Sequence, residues 1–231
     1  VLVPINTRLA PDEVAYILDH SGARLLFVDT ELSHIVERVR GQLRTLEQIV
    51  NLVDVPGGTR IDGLDYEAFL ATGSDDPIAI PVQDEYDTIS INYTSGTTGR
   101  PKGARRPPRP GLWPLASMTS RIPLRARQTM IIEAPLFHTW GYAALQMAWA
   151  LRAPVVLHRR FDPERTLRAV ASHRDAALFA VPVMLQRILE LAPEVRERYD
   201  TSSLRIAALS GAALPGDLAT RFMDAFGDRL Y

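Results

Sequence analysis

The sequence contains no cysteine and a single lysine, Lys102. Without thiols there can be no disulfides and no thiolate metal sites, a usage that fits a reducing, cytoplasmic setting. An excess of either charge is missing too: 26 Lys and Arg stand against 27 Asp and Glu, for a net charge of -1. That balance argues against a nucleic acid or another polyanion as partner. No apolar run approaches the roughly 18 residues that a membrane span requires, and no signal peptide is visible. The Gly-x-Ser-x-Gly elbow of serine hydrolases is absent, as are internal repeats and low-complexity tracts. His20, His34, His158 and His173 show no metal-ligand spacing and are expected at the surface or as caps. The carboxylates of the connecting loops read as solvated charge. What is present is an ordinary globular composition, with 46% hydrophobic residues in 231, enough for one large domain or two small ones.

The richest stretch runs from Ser90 to Gly103. Thr88 to Tyr93 alternates apolar and polar residues, the period of a half-buried strand. It leads into Thr94, Ser95, Gly96, Thr97, Thr98 and Gly99, followed by Arg100, Pro101, Lys102 and Gly103. Glycines let backbone N–H groups turn inward on an anion, hydroxyls add donors, and Lys102 supplies a compact positive charge. A lysine can follow a moving phosphate as a point charge, whereas arginine prefers a fixed planar fork. The inventory suits a polyphosphate, although Gly/Ser/Thr-rich loops also occur as plain surface connections. It is not a Walker loop, because Pro101 precedes Lys102 and Gly103 follows it.

Around this stretch helices and strands alternate, the pattern of an α/β fold with a mostly parallel sheet. Pro11 and Asp12 open a helix with Val14, Ile17 and Leu18 inward and Gly22 as its stop. Leu25–Val28 reads as a short buried strand, Leu32–Leu43 as a helix and Ile49–Val53 as a strand. Asp54–Gly63 and Thr72–Asp87 read as surface connections, with a short helix at Tyr66–Leu70 between them. Arg105 to Gly111 is basic and helix-breaking, either a further clamp on phosphate or a solvated loop. Leu115–Ile122 reads as helix and Thr129–Ile132 as strand. Tyr142–Leu151 is an almost wholly apolar helix in which Trp149 is expected to be buried. Val155–Leu157, Leu178–Val181 and Arg205–Leu209 read as strands. Asp162 caps a helix that starts at Pro163 and turns Leu167, Val170 and Ala171 inward. Pro182 opens another, and Leu218, Phe222 and Phe226 line the last before Gly227. The chain opens on an apolar run at Val1 and closes at Leu230-Tyr231, the expected start of a further buried strand, so both ends read as lying inside a domain.

Two other constellations carry chemistry. Pro135-Leu136-Phe137-His138-Thr139-Trp140-Gly141 places one imidazole among apolar residues, as a structural histidine or as part of a site. Ser210-Gly211-Ala212-Ala213 follows a strand at the end where open α/β sheets bind ligands, and its small residues would let a flat ring approach the backbone. The same residues would also make a tight strand-to-helix turn.

Tyr93 to Gly103 resembles, position for position, the phosphate loop of the acyl-adenylate-forming (AMP-binding) superfamily, and the two other segments stand in family order. Val3-Pro4-Ile5-Asn6 and Leu9 to Glu13 also look like acyl-CoA synthetases, so the resemblance spans the whole chain. It implies an incomplete N-terminal AMP-binding domain over residues 1–231, with the C-terminal lid domain and its catalytic lysine absent. It further implies that Thr94, Ser95, Gly96, Thr97, Thr98, Gly99 and Lys102 hold the ATP phosphates, with Thr94 also touching Mg2+. His138 would lie near the substrate carboxylate, Trp140 would line or gate its tunnel, and adenine would rest on Gly211, Ala212 and Ala213. Phe137 to Gly141 looks most like fatty-acyl-CoA ligases of lipid metabolism. The implied chemistry is attack of a fatty acid carboxylate on ATP to give acyl-adenylate and pyrophosphate, then transfer to CoA. A homodimer of the full-length parent is also implied. The magnesium-binding glutamate of relatives would fall beyond Tyr231, and Arg105-Arg106-Pro107 replaces a usual Thr-His pair. The isolated chain is therefore expected to be inactive. The rival readings are an acyl-AMP ligase serving a carrier protein and a non-catalytic nucleotide-binding remnant.

Overall fold

The computed structural model describes residues 1–77, 84, 87–94, 101–104 and 113–231. The chain divides into two compact units, Val1–Pro108 and Arg109–Tyr231.

In the first unit, helix α1 (Pro11–Ser21) begins with proline where no N–H is needed and ends at Gly22, which adopts a left-handed φ of 66°. Glu13 accepts a hydrogen bond from the Ala10 N–H at 2.9 Å, closing the first turn. Strand β1 (Leu25–Asp29), helix α2 (Ser33–Val39) and strand β2 (Gln48–Leu52) follow, then β3 (Leu64–Asp65) and α3 (Tyr66–Leu70). The three strands form a parallel sheet in the order β1-β2-β3. Its core joins Val28, Val36, Ile49 and Ile61. Asn51 is buried, and its amide is satisfied by both backbone groups of Ile61, at 2.9 and 3.0 Å. β1 is buried on one face only. Leu25 and Phe27 remain 39% and 44% exposed, which corrects the expectation of a fully buried strand. The short β3 falls between the expected connection and the expected helix, where a two-residue strand leaves no periodic signature. Strands β4 (Asn92–Thr94) and β5 (Lys102–Ala104) pair antiparallel, with Thr94 opposite Lys102. The expected strand at Thr88–Tyr93 is shorter at its start, where Ser90 makes only an isolated parallel bridge to Leu2.

The second unit runs α4 (Trp113–Thr119), β6 (Thr129–Ile132), α5 (Thr139–Ala150), β7 (Val155–Leu157), α6 (Pro163–Ala171), β8 (Ala176–Ala180), α7 (Pro182–Leu189), α8 (Pro193–Arg196), β9 (Leu204–Leu209) and α9 (Gly216–Phe226). All four strands are parallel, in the order β7-β6-β8-β9. Leu230 bridges to Ala207 beyond β9. Parallel strands covered on both faces need apolar side chains in both directions, and β8, Ala-Ala-Leu-Phe-Ala, is buried at every position. Alternation splits the core accordingly. Ile131, Leu178 and Ala207 face Leu167, Leu185 and Phe222 of α6, α7 and α9. Met130, Ile132, Phe179 and Ala208 face Ala144, Met147 and Ala148 of α5. Asp162 caps α6, accepting from the Arg165 N–H at 2.7 Å. A bulge beside Ala176 and Ala177 leaves Arg205 as the extra residue of β9, turned out to solvent.

Two burial expectations fail here. Trp149 is 64% exposed, because α5 packs through one stripe (Gly141, Ala144, Met147, Ala148) although it is apolar all round. Ala171 is exposed at the end of α6, while Thr166 and Ala169 take its expected place inside. The contrast is measurable. Leu185→Ala, at a fully buried site, should cost about 2–5 kcal/mol in denaturant unfolding. Trp149→Ala should cost no more than about 0.5 kcal/mol, and a loss as large as that of Leu185→Ala would contradict the exposed placement.

Candidate functional site

In the first unit, the described part of the glycine-rich stretch is the hairpin that carries it. β4 brings the chain to Thr94, and β5 takes it away from Lys102. Both side chains are exposed, and the Thr94 hydroxyl lies 3.5 Å from the Lys102 carbonyl, at the long limit of a hydrogen bond. Ser95, Gly96, Thr97, Thr98, Gly99 and the Arg105–Gly111 segment lie outside the described residues. The hairpin is braced from α1. His20 Nδ1 lies 2.7 Å from the Tyr93 hydroxyl, and the two rings meet edge to face at 5.8 Å. Opposite Tyr93 stands Gly103, where a Cβ would come within 3.3 Å of the phenol ring. Burial raises the Tyr93 phenol above its ordinary pKa, with a smaller contribution from Tyr16.

In the second unit, the sequence candidates collect at the carboxyl ends of the strands. The connection from β6 through α5 leads to one side of β6, and the next strand, β8, lies on its other side. The winding therefore changes direction at the carboxyl ends of β6 and β8, the position where open α/β sheets leave a crevice for ligands. The Pro135–Trp140 segment leaves from there. Its exit is pinned to β8: the Glu133 and Ala134 N–H groups donate to the Phe179 carbonyl at 2.9 and 3.1 Å. The His138 N–H closes a turn on the Pro135 carbonyl at 3.0 Å, and His138, extended at φ -93°, becomes the N-cap residue of α5. Its side chain is exposed. Trp140 is half-buried and tethered, donating its indole N–H to the Ala180 carbonyl at 3.0 Å with its ring against Phe179. Gly141 is buried where any Cβ would collide with the carbonyls of Ala134 and Pro135, so glycine is what lets α5 start this close to the loop.

Past β9, Gly211 has a left-handed φ of 91° that side-chain-bearing residues resist. A Cβ there would sit 3.4 Å from Val181, the residue after β8. Ala212 and Ala213 are exposed beside it. The turn thus presents small residues and open backbone at the same end of the sheet as His138 and Trp140.

One cluster here escaped the sequence reading. Glu133 follows β6 directly, and His158 follows β7 directly. Their strands are in register, so the two residues become neighbours. His158 Nδ1 lies 2.7 Å from Glu133 Oε1, with side-chain exposures of 12% and 1%. The Thr166 hydroxyl of α6 lies 2.8 Å from the same oxygen. This corrects the surface role expected for His158 and, at Glu133 alone, the solvated role expected for the loop carboxylates. The available signal was positional: each residue is the first polar one after an apolar strand.

The profile described as "AMP-binding enzyme" matches residues 1–231. The chain belongs to that family. A feruloyl-CoA synthase of an Amycolatopsis species is 34% identical over 226 residues, covering 97% of this chain and 42% of that protein. A 3-methylmercaptopropionyl-CoA ligase of Ruegeria pomeroyi is 34% identical over 238 residues, covering 98% of this chain and 43% of the relative. Among solved structures, the anthranilate CoA ligase AuaEII in complex with anthranoyl-AMP superposes with a TM-score of 0.83 at 28% identity, over 99% of this chain and 44% of that one. The chain therefore spans less than half the length of these AMP-binding relatives. Among its described residues no group of three or more His, Asp or Glu could hold a metal ion, and no described helix is long and apolar enough to cross a membrane.

Two predictions test the local geometry. Gly141→Ala must push α5 away from the Ala134 and Pro135 carbonyls, and should destabilise the chain by about 1–3 kcal/mol. A thermal midpoint equal to wild type would contradict the close approach. Tyr93 supplies a pH test. Its raised pKa means that the folded chain holds the phenolic proton more tightly than the unfolded one. That stability is fully present below the unfolded value of about 10 and is lost as pH rises through the folded value. Tyr93→Phe should lose less stability over that alkaline window than wild type, as read from denaturant midpoints. Equal losses would remove Tyr93 as the cause.

Proposed function

We propose that this chain is the ATP- and acid-binding portion of an acid–CoA ligase, which joins a carboxylic acid with an apolar body to AMP and then to CoA. The observation that carries the reading is the placement of the Pro135–Trp140 segment. The stretch that resembles the family's acid-side segment leaves the sheet where its winding reverses, and the small Gly211–Ala213 turn opens at the same end. The reading is supported by its relatives: a feruloyl-CoA synthase, a 3-methylmercaptopropionyl-CoA ligase and the anthranilate CoA ligase AuaEII.

In this reading Thr94, Ser95, Gly96, Thr97, Thr98, Gly99 and Lys102 hold the ATP phosphates. The exposed Thr94 and Lys102 at the two ends of the hairpin suit that role, a hydroxyl donor facing a point charge. Gly211, Ala212 and Ala213 receive the adenine, whose flat face needs the space that small residues leave. His138 orients the acid carboxylate from the start of α5, and Trp140, held by Ala180 and Phe179, lines the acid's apolar body. Mg2+ would offset charge on the triphosphate when bound. It keeps several waters and is usually bound through one or two carboxylates and the substrate phosphates. The acid is a fatty acid by the resemblance of Phe137–Gly141. The feruloyl and methylmercaptopropionyl relatives set aromatic and short thioether acids beside it as the arms of the test.

The test is equilibrium titration of the chain with ATP, then with decanoate, ferulate and 3-methylmercaptopropionate, in wild type and Lys102→Ala. Loss of a charge-assisted contact worth about 1.5–3 kcal/mol should weaken ATP about tenfold to a hundredfold. Equal ATP affinity in the two proteins would sink the phosphate assignment. Failure of every acid to bind would sink the acid assignment.

A further inference from the structure

Glu133 poses a problem that the proposed chemistry leaves unsolved. A carboxylate with a 1% exposed side chain costs free energy to bury, yet only one of its oxygens is used. Oε1 meets both His158 and Thr166, whereas Oε2 is buried without a hydrogen-bond partner among the described residues. Three elements converge on it: β6, which it follows; β7, through His158; and the first turn of α6, through Thr166. In the other direction along the chain stands Ala134, then the Pro135 carbonyl that holds the His138 N–H, then Gly141 packed against both carbonyls. Glu133 is thus the last fixed point before the segment that carries His138 and Trp140.

Side-chain direction sharpens this. Glu133 has the parity of Ile131 and points to the α6 face, while Met130 and Ile132 point to the α5 face. The clasp therefore grips the chain from beneath the sheet, and the segment it releases crosses to the other face. Backbone bonds of Glu133 and Ala134 to Phe179 fix the exit along one edge of β6. The His158 and Thr166 contacts fix it from the other edge and from α6.

The geometry points to Glu133 as a positioning residue for acid recognition: clasped by His158 and Thr166, it sets the path of residues 134–138 and so the placement of His138 and Trp140. This rests on reading that segment as the acid-binding side. It does not make Glu133 a catalytic residue, since His158 and Thr166 occupy its used oxygen.

The test compares Glu133→Ala, Glu133→Gln and His158→Ala with wild type in two readouts. The first is the indole N–H resonance of Trp140, assigned by its disappearance in Trp140→Phe. The second is affinity for ATP and for decanoate and ferulate. Glu133→Ala should shift the Trp140 indole resonance and weaken the acid about tenfold, with ATP affinity unchanged within about twofold. Glu133→Gln keeps an acceptor for His158 and Thr166 and should restore both readouts toward wild type. His158→Ala removes the clasp from the other side, leaves a foldable alternative if Glu133→Ala does not fold, and should shift the same resonance. An unmoved Trp140 resonance in the folded variants would overturn the proposal. So would equal loss of acid and ATP binding, which would mark Glu133 as a general support of the fold. If wild type binds ATP but no acid, the acid reading of the site fails, and the indole resonance alone then decides whether Glu133 positions the segment.

Discussion

Strand β6 pairs with β7 on one edge and β8 on the other, and its residues Met130, Ile131 and Ile132 are 0%, 0% and 3% exposed. A central parallel strand has no free edge and no wet face, so its path is settled by its neighbours before any loop is considered. The consequence is felt where it ends. The chain must leave a fully enclosed position within two residues and reach the start of α5 on one face. The bonds to Phe179, the Pro135 turn and the absence of a side chain at Gly141 are the local answers to that demand. The same enclosure puts Glu133 in register with His158, because strands aligned at Ile132 and Leu157 are still aligned one residue later.

A buried polar cluster is a poor device for stability. Desolvating its groups consumes most of what their contacts return, and apolar replacements of similar size are often neutral or better. At Glu133 the case is weaker still, since one oxygen has no partner among the described residues. What such a cluster supplies is direction: an apolar contact tolerates sliding, whereas a 2.7 Å hydrogen bond from a ring nitrogen does not. The first unit brackets its loop by a similar means. His20 bonds Tyr93 from α1, and Gly103 keeps the space that the Tyr93 ring needs, so the hairpin leading to Thr94 and Lys102 is fixed by a polar contact plus a missing side chain.

Local chemistry made much of the fold legible in the sequence. Thr129–Ile132, Val155–Leu157 and Tyr66–Leu70 have the limits their sequence pattern predicts, and Gly22, Asp162 with Pro163, and Gly227 end or begin helices as their conformational preferences require. The burial errors have one source. Burial was inferred from composition, while it is decided by which elements lie alongside. Phe27 and Trp149 are apolar residues on faces that nothing described here fully covers, and Ala171 sits beyond the stripe that α6 buries. Among the candidate residues, Thr94 and Lys102 of the first unit and His138, Trp140 and Gly211 of the second stand out in the sequence because each belongs to a contiguous pattern. Glu133, His158 and Thr166 do not, because they belong together only through strand register and a helix packed across it.

That distinction bears on how recognition can be divided within such a site. In the proposed function the contiguous motifs are the ones assigned to touch ligand. The groups that aim those motifs are scattered along the chain and can change without disturbing any of them. Were acid preference set only by the residues of the acid-side segment, His138 and Trp140 would suffice to forecast it. The tether of Trp140 to Ala180 and the clasp on Glu133 argue otherwise: the indole is placed by the ends of β6 and β8, and a shift at either end moves it without altering a residue of the motif. On the proposed reading, acid preference would depend on the ends of β6 and β8 as much as on His138 and Trp140 themselves.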